Sequence, residues 1–263
     1  MADEKLIAVF VDYENLALGV RDEKMGDFQI GLILKRLLEK GRIVYKRAYC
    51  DWSQYRNEVR EFHGNGIEMI DIPRTKMSGK NSADIHMVVD ALDLSHSKDH
   101  IDMFALLTGD SDFSPLASKL KENNKRVIGC GVKSSTSNLL INCCDEFIYY
   151  DDLVRVAEKP KPKKKAKAEA KGSAAKAKGK VVAEEPEILD QLLEIIRSLE
   201  QDYDPLWGSM IKQTIRRVYP GFNEQYSGYK NFADLLQDAE DREYVDLEYD
   251  ESRGNFKVRM RDE

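Results

Sequence analysis

The chain has 263 residues, 42% hydrophobic and 33% charged, with a net charge of −6. That length holds one large domain or two small ones, and no apolar run nears the roughly 18 residues that cross a bilayer. The four cysteines, Cys50, Cys130, Cys143 and Cys144, show no C-x-x-C spacing, which argues against a zinc site and a disulfide framework.

The start, Met-Ala-Asp-Glu-Lys, runs into a strand-like stretch without a signal-peptide pattern. A cytoplasmic location is the expectation. The net charge hides three regions. Residues 1–156 carry −4, residues 157–183 carry +8 and residues 184–263 carry −10. The middle region is Lys, Ala, Gly and Pro with few large apolar residues, so it reads as a disordered linker.

In chain order, Leu6–Val11 is a continuous apolar strand ending at Asp12. Polar Tyr13-Glu14-Asn15 and a charged loop follow. Ile30, Ile33, Leu34, Leu37 and Leu38 repeat at helical spacing and stop at Gly41. Ile43–Cys50 reads as a second strand ending at Asp51, Tyr55–His63 as a charged helix, and Ile67–Ile72 as a third strand. A basic loop, residues 74–81, precedes a helix from about Ser82 to Leu94. Met103–Leu107 is the fourth strand. Ser114 and Pro115 mark the start of the next helix, as N-cap and first helical residue. Arg126–Val132 is a fifth strand, followed by a short helix at residues 138–143 and a last strand, Glu146–Tyr150. This alternation predicts an α/β fold, a parallel sheet with helices on both faces.

Residues 184–263 read as a separate α+β domain. Ile188, Leu189, Leu192, Leu193, Ile196 and Leu199 form one helical stripe, and Trp207, Met210, Ile211, Thr214, Ile215 and Val218 another. Phe232, Leu235 and Leu236 mark a third helix. Tyr244–Tyr249 and Asn255–Met260 alternate like a hairpin. Helices followed by a hairpin suggest a winged helix-turn-helix.

The chemistry gathers on aspartates. Asp12, Asp51 and Asp110 end strands, and ligands of open α/β sheets bind at those carboxyl ends. Asp112 follows two residues after Asp110. On a helix, Met87, Val88 and Ala91 lie within about 60° of Asp84, so Asp84 sits on the apolar face, where an unpaired charge is costly. Asp90 and Asp93 fall on other faces. Grouped carboxylates repel one another unless a hard cation joins them. Mg²⁺ or Mn²⁺ suits such oxygen donors and supports phosphodiester hydrolysis. Asn15 and Ser111 are placed to orient a water or a phosphate, and Lys80, Arg74 and Lys76 to contact phosphates. Each has a plainer alternative: Asp51 and Asp112 as turn or helix caps, Lys80 as a solvated loop lysine. A phosphotransferase of the haloacid-dehalogenase type also uses strand-end aspartates, but it expects Asp-x-Asp where this chain has Asp12-Tyr13-Glu14.

VFVDYEN (Val9–Asn15), KNSADIHMVVDAL (Lys80–Leu92) and LLTGDSDFSPL (Leu106–Leu116) together resemble the NYN domain, a branch of the PIN-like nucleases, over residues 5–153. The resemblance implies a metal-dependent ribonuclease at residues 1–156. Its acids would be Asp12, Asp84, Asp110, Asp112 and Asp51, with Asn15 as the family's asparagine. Residues 186–262 resemble an OST-HTH (LOTUS) domain through WGSMIKQTIRRVYPGF (Trp207–Phe222), SGYKNFADLL (Ser227–Leu236) and the final hairpin. That implies binding of RNA, single-stranded or structured. Leu206–Phe222 has no acid and carries Lys212, Arg216 and Arg217, while Tyr226 and Tyr229 are placed to stack on bases. Net −10 argues against a polyanion partner and keeps a protein partner open for this domain. An RNA-binding adaptor without turnover is the alternative to the ribonuclease.

Overall fold

The computed structural model describes residues 4–73, 82–158, 185–225 and 227–261. Arg74, Lys76, Lys80, Tyr226 and the lysine-rich segment, residues 159–184, lie outside the described residues. The chain divides into two compact units, Met1–Pro160 and Lys161–Glu263. No helix among the described residues is long and apolar enough to cross a membrane.

The first unit is built on β1 (Leu6–Asp12), whose residues Ile7 to Val11 are fully buried. Ile7, Val9 and Val11 face one core and Ala8 and Phe10 the other, the alternation a strand imposes. A strand covered on both faces needs an unbroken apolar run. The other strands are β2 (Arg42–Cys50), β3 (Glu68–Asp71), β4 (Met103–Leu107), β5 (Arg126–Gly131) and β6 (Glu146–Tyr149). They form one parallel sheet in the order β3-β2-β1-β4-β5-β6.

Helices cover both faces. α1 (Tyr13–Asp22), α2 (Ile30–Lys40), α3 (Val59–Gly64) and α7 (Tyr150–Glu158) contribute to the core of Val9 and Val11. An aromatic group sits there: Tyr13 packs against Phe28, Trp52, Tyr55 and Phe62 with ring centroids 4.9–5.7 Å apart. α4 (Ser82–Ser97), α5 (Ser114–Glu122) and α6 (Asn138–Cys143) lie on the Phe10 face.

Three expectations from the sequence change. The charged loop after Asp12 is helix α1, because Tyr13, Leu16 and Val20 all turn inward between its polar residues. Residues 55–58 stand outside α3, which begins at Val59. Ser114 is the first residue of α5 and not its N-cap; Phe113 precedes it, and the Ser114 hydroxyl is buried without a hydrogen-bond partner among the described residues.

α4 is pinned to the sheet by a polar network. The Tyr49 hydroxyl donates to Asp90 at 2.7 Å, and Arg47 reaches both Asp90, at 2.9 Å, and Glu68, at 2.6 Å. This explains Asp90 as a structural acid, off the apolar face of its helix. Asp90→Ala is expected to cost the first unit about 1–3 kcal/mol, because it leaves a guanidinium and a buried phenol without their shared acceptor. Urea denaturation checks it, and an unchanged midpoint would refute that role for Asp90.

The second unit packs α8 (Glu185–Leu199), α9 (Gly208–Val218) and α10 (Phe232–Asp241) with an antiparallel sheet. Its strands are β7 (Leu206–Trp207), β8 (Val245–Asp250) and β9 (Asn255–Met260), in the order β7-β9-β8. The stripes of α8 and α9 meet Phe232, Leu235, Leu236, Val245 and Val258 in one core. The two-residue strand β7 is too short to be read from pattern.

Candidate active site at the carboxyl edge of the sheet

From β1 the chain crosses to β2 on one side, and β4 returns on the other side of β1. Connections leaving neighbouring strands in opposite directions open a crevice at their carboxyl ends. Asp12 closes β1 at this point. Thr108, Gly109 and Asp110 follow β4 beside it.

One hydroxyl joins the two strand ends. Thr108 is fully buried; its Oγ1 donates to Asp12 Oδ2 at 2.9 Å and accepts from the Asp110 N–H at 3.2 Å. Asn15 completes the link from α1. Its N–H donates to Asp12 Oδ1 at 3.4 Å, and its Oδ1 accepts from the Gly109 N–H at 2.7 Å. Asn15 therefore ties the start of α1 to the end of β4.

The acids act on one another. Asp12 is 7% exposed. Burial pushes its carboxyl up from 3.8 to about 7; Thr108 opposes the rise, and the charges of Asp84 and Asp110 add to it. Asp84 lies in the first turn of α4. Burial raises its pKa above the usual range, and Asp110, Asp112 and Glu14 raise it further. So Asp12, Asp84, Asp110 and Asp112 share one field, with Glu14 as a member that sequence reasoning missed. The available signal was its place in the first turn after Asp12, once that turn is read as a helix.

The local roles differ inside the TGDSD stretch. Asp110 caps the short 3₁₀ turn Ser111–Phe113, its Oδ1 accepting from the Asp112 N–H at 2.9 Å. The cap is thus Asp110, while Asp112 and its exposed carboxylate add charge beside Asp84. Ser111 opens that turn. Asp51 is not brought into this group. Its carboxylate accepts from the Ser53 N–H, the Ser53 hydroxyl and Gln54 Nε2, at 3.2, 2.5 and 3.0 Å. Asp51 caps the 3₁₀ turn Trp52–Gln54, into which the chain bends directly after β2.

The donor set is made of hard oxygens. Among the described residues no Lys or Arg forms an ion pair with Asp12, Asp84, Asp110 or Asp112. Nor do three His, Cys, Asp or Glu side chains already stand around one ion position. Hard carboxylate oxygens of this kind are the donors that Mg²⁺ or Mn²⁺ takes.

The NYN domain family model matches residues 6–151. The chain belongs to the NYN domain family. An uncharacterized protein of Methanocaldococcus jannaschii is 31% identical over 147 residues, 55% of this chain and 55% of that protein. The chain thus matches about half the length of that curated relative. A crystal structure of a Vibrio parahaemolyticus protein of unknown function superposes with a TM-score of 0.52 and 27% identity, covering 58% of this chain and 97% of the other. NYN domains are PIN-like, a class of nuclease fold whose members typically depend on a metal and act on nucleic acid.

The match ends before the second unit, where the cations expected to meet RNA are engaged within the fold. Lys212 lies 3.3 Å and Arg216 3.2 Å from the carboxylate of Glu224, which is 5% exposed. Arg217 Nη2 donates to Thr214 Oγ1 at 3.0 Å, and the Tyr229 hydroxyl donates to Asp238 at 2.6 Å. The acid-free helix carries its counter-charge in the following loop, which a window ending at Phe222 leaves out. Glu224→Gln is expected to lower the stability of this unit by about 1–3 kcal/mol, since two cations lose one buried partner. A thermal melt checks it; an unchanged transition would show the pairs contribute nothing.

Proposed function

We propose that this NYN protein is a metal-dependent endoribonuclease. The observation that carries the reading is the shared field of Asp12, Asp84, Asp110 and Asp112 at the switch point of the sheet, with Asp12 pushed up to about 7. A site that binds protons this readily is also one where a divalent ion replaces them. Asp12, Asp84, Asp110 and Asp112 are the residues that would hold Mg²⁺ or Mn²⁺. Such an ion, when bound, lowers the pKa of an attacking water and offsets charge on the leaving oxygen.

The chain's own groups do the placing. Thr108 and Asn15 hold Asp12 and the Gly109–Asp110 backbone together. Asp84 is half-buried, with its proton affinity raised by three neighbouring acids, which suits it to accept a proton from water. Arg74, Lys76 and Lys80 remain the phosphate contacts expected from the sequence.

For the second unit, the three helices and hairpin support an OST-HTH domain that selects the RNA, with residues 157–183 as linker. Because Lys212 and Arg216 are occupied by Glu224, a protein partner stays a rival occupant of that face.

The experiment is cleavage of an end-labelled single-stranded RNA by the full chain, with Mg²⁺ and with Mn²⁺, against Asp84→Asn. Internal cuts by the wild type, lost in the variant, support the reading. RNA bound but left intact with both ions would assign an RNA-binding adaptor instead.

A further inference from the structure

The acidic centre repels the backbone it would cut, so something beside it must hold that backbone. The loop after β5, residues 132–137 (VKSSTS), adjoins the centre. β5 is the neighbour of β4, so this loop lies one strand spacing, about 5 Å, from the segment of Asp110.

The loop is built onto that segment. The Ser137 N–H donates to the Gly109 carbonyl at 2.9 Å. A Cβ on Gly109 would stand 2.7 Å from the Ser135 carbonyl oxygen, and one on Gly131 would stand 2.5 Å from Thr136 Oγ1. Both positions must be glycine for the loop to lie this close. A Cβ on Gly19 of α1 would meet Ser135 Oγ at 2.5 Å, so the loop touches the helix that follows Asp12 as well. Its shape is set by donors converging on the Val132 carbonyl: the Ser135 N–H at 3.2 Å, Thr136 Oγ1 at 2.6 Å and Ser135 Oγ at 3.4 Å. The Lys133 N–H donates to Asp151 at 2.8 Å.

With the backbone so engaged, two exposed groups are left facing outward. Among the described residues the Lys133 ammonium forms no ion pair; it stands 5.6 Å from the Tyr149 ring centroid. The Ser134 hydroxyl makes no hydrogen bond to a described residue. Lys133 is the cation of the loops following β4 and β5, residues 108–113 and 132–137.

We propose that the Val132–Ser137 loop is a subsite for a backbone phosphate of the nucleotide next to the scissile bond, with Lys133 supplying the charge and Ser134 a hydroxyl donor. This rests on the ribonuclease reading for what is bound. The loop is anchored on Gly109, the residue before Asp110, and a phosphate one nucleotide away must be held by such an anchored segment if the scissile one is to stay in place. A lysine binds phosphate as a point charge, without reading the base.

The test uses the full chain carrying Asp110→Asn, so that RNA stays intact, with a short oligouridylate in Mg²⁺. Lys133→Gln is expected to weaken binding about three- to tenfold and to reduce the slope of log affinity against log salt by about 0.7–1. Lys133→Arg retains binding within about twofold, since a point charge is what the site needs. RNA is expected to slow amide hydrogen exchange across residues 132–137, and less so in Lys133→Gln. Unchanged affinity and slope in Lys133→Gln, or unchanged exchange in that loop, overturns the subsite. Failure of the ribonuclease reading appears elsewhere, as wild-type protein that leaves RNA intact with both ions, and leaves the binding result standing.

Discussion

Asp110→Asn is expected to lower the single-turnover rate of RNA cleavage in Mn²⁺ by about a thousandfold or more, with the fold intact. The substitution is a clean one. Asp110 Oδ1 serves as the acceptor that caps the turn Ser111–Phe113, and the asparagine carbonyl keeps that bond. The Asp110 N–H still reaches Thr108. What disappears is one negative charge at the switch point. If that charge holds a divalent ion, its loss removes stabilisation that exists at the reacting phosphate, and electrostatic losses of this kind cost about 3–4 kcal/mol or more. The same change removes repulsion acting on Asp12 and Asp84, so thermal stability in chelator should hold or rise. Cleavage within about threefold of wild type would mean that Asp110 is a cap and nothing more.

Asp12→Asn should stabilise the metal-free protein at pH 8 by about 2 kcal/mol, a rise of about 4–8 °C in the melting of the first unit. The folded carboxyl titrates at about 7 and the usual value is 3.8. The folded state therefore binds more protons than the unfolded state between those values. The stability contributed by this carboxyl is fully present below pH 4, falls as pH rises through the window, and is gone above about 7. The full difference corresponds to at most about 4 kcal/mol. Asparagine has no such window, so its melting profile should be flatter from pH 4 to 7. It keeps an acceptor for the Asn15 N–H, though the Thr108 hydroxyl loses a charged partner, which trims the gain. Mn²⁺ should reverse the ranking. At about a hundred times its dissociation constant it adds about 2.7 kcal/mol to a protein that binds it, and Asp12→Asn should gain little. Equal stabilisation of both proteins by Mn²⁺ would exclude Asp12 as its ligand.

These outcomes depend on contacts that differ in how openly the sequence displays them. The strands of the first unit are evident from unbroken apolar runs such as Leu6–Val11, because a central parallel strand must be apolar on both faces. Asp84 is evident as an anomaly, an acid on the apolar side of α4. Helix α1 is not, because its inward residues Tyr13, Leu16 and Val20 are interleaved with Glu14, Asn15 and Arg21. Missing that helix also hid Glu14. Asp51 and Asp110 look alike in sequence, each ending a strand before a turn. One caps the turn around Ser53, while the other stands beside Asp12.

The amino-acid sequence by itself determined the alternation of strands and helices, the acidic strand ends and the three charge regions, since these follow from local pattern and composition. Tertiary structure decided which acids meet. Strand order is a property of long-range pairing, and only the order β2-β1-β4 sets Asp12 against Thr108 and Asp110. It decided as well that Lys212 and Arg216 face Glu224 and that the loop at Lys133 rests on Gly109. The physical reason is the same in each case. A charge's role depends on its nearest opposite or like charge and on how much water reaches it, and neither is written in the residues beside it in the chain.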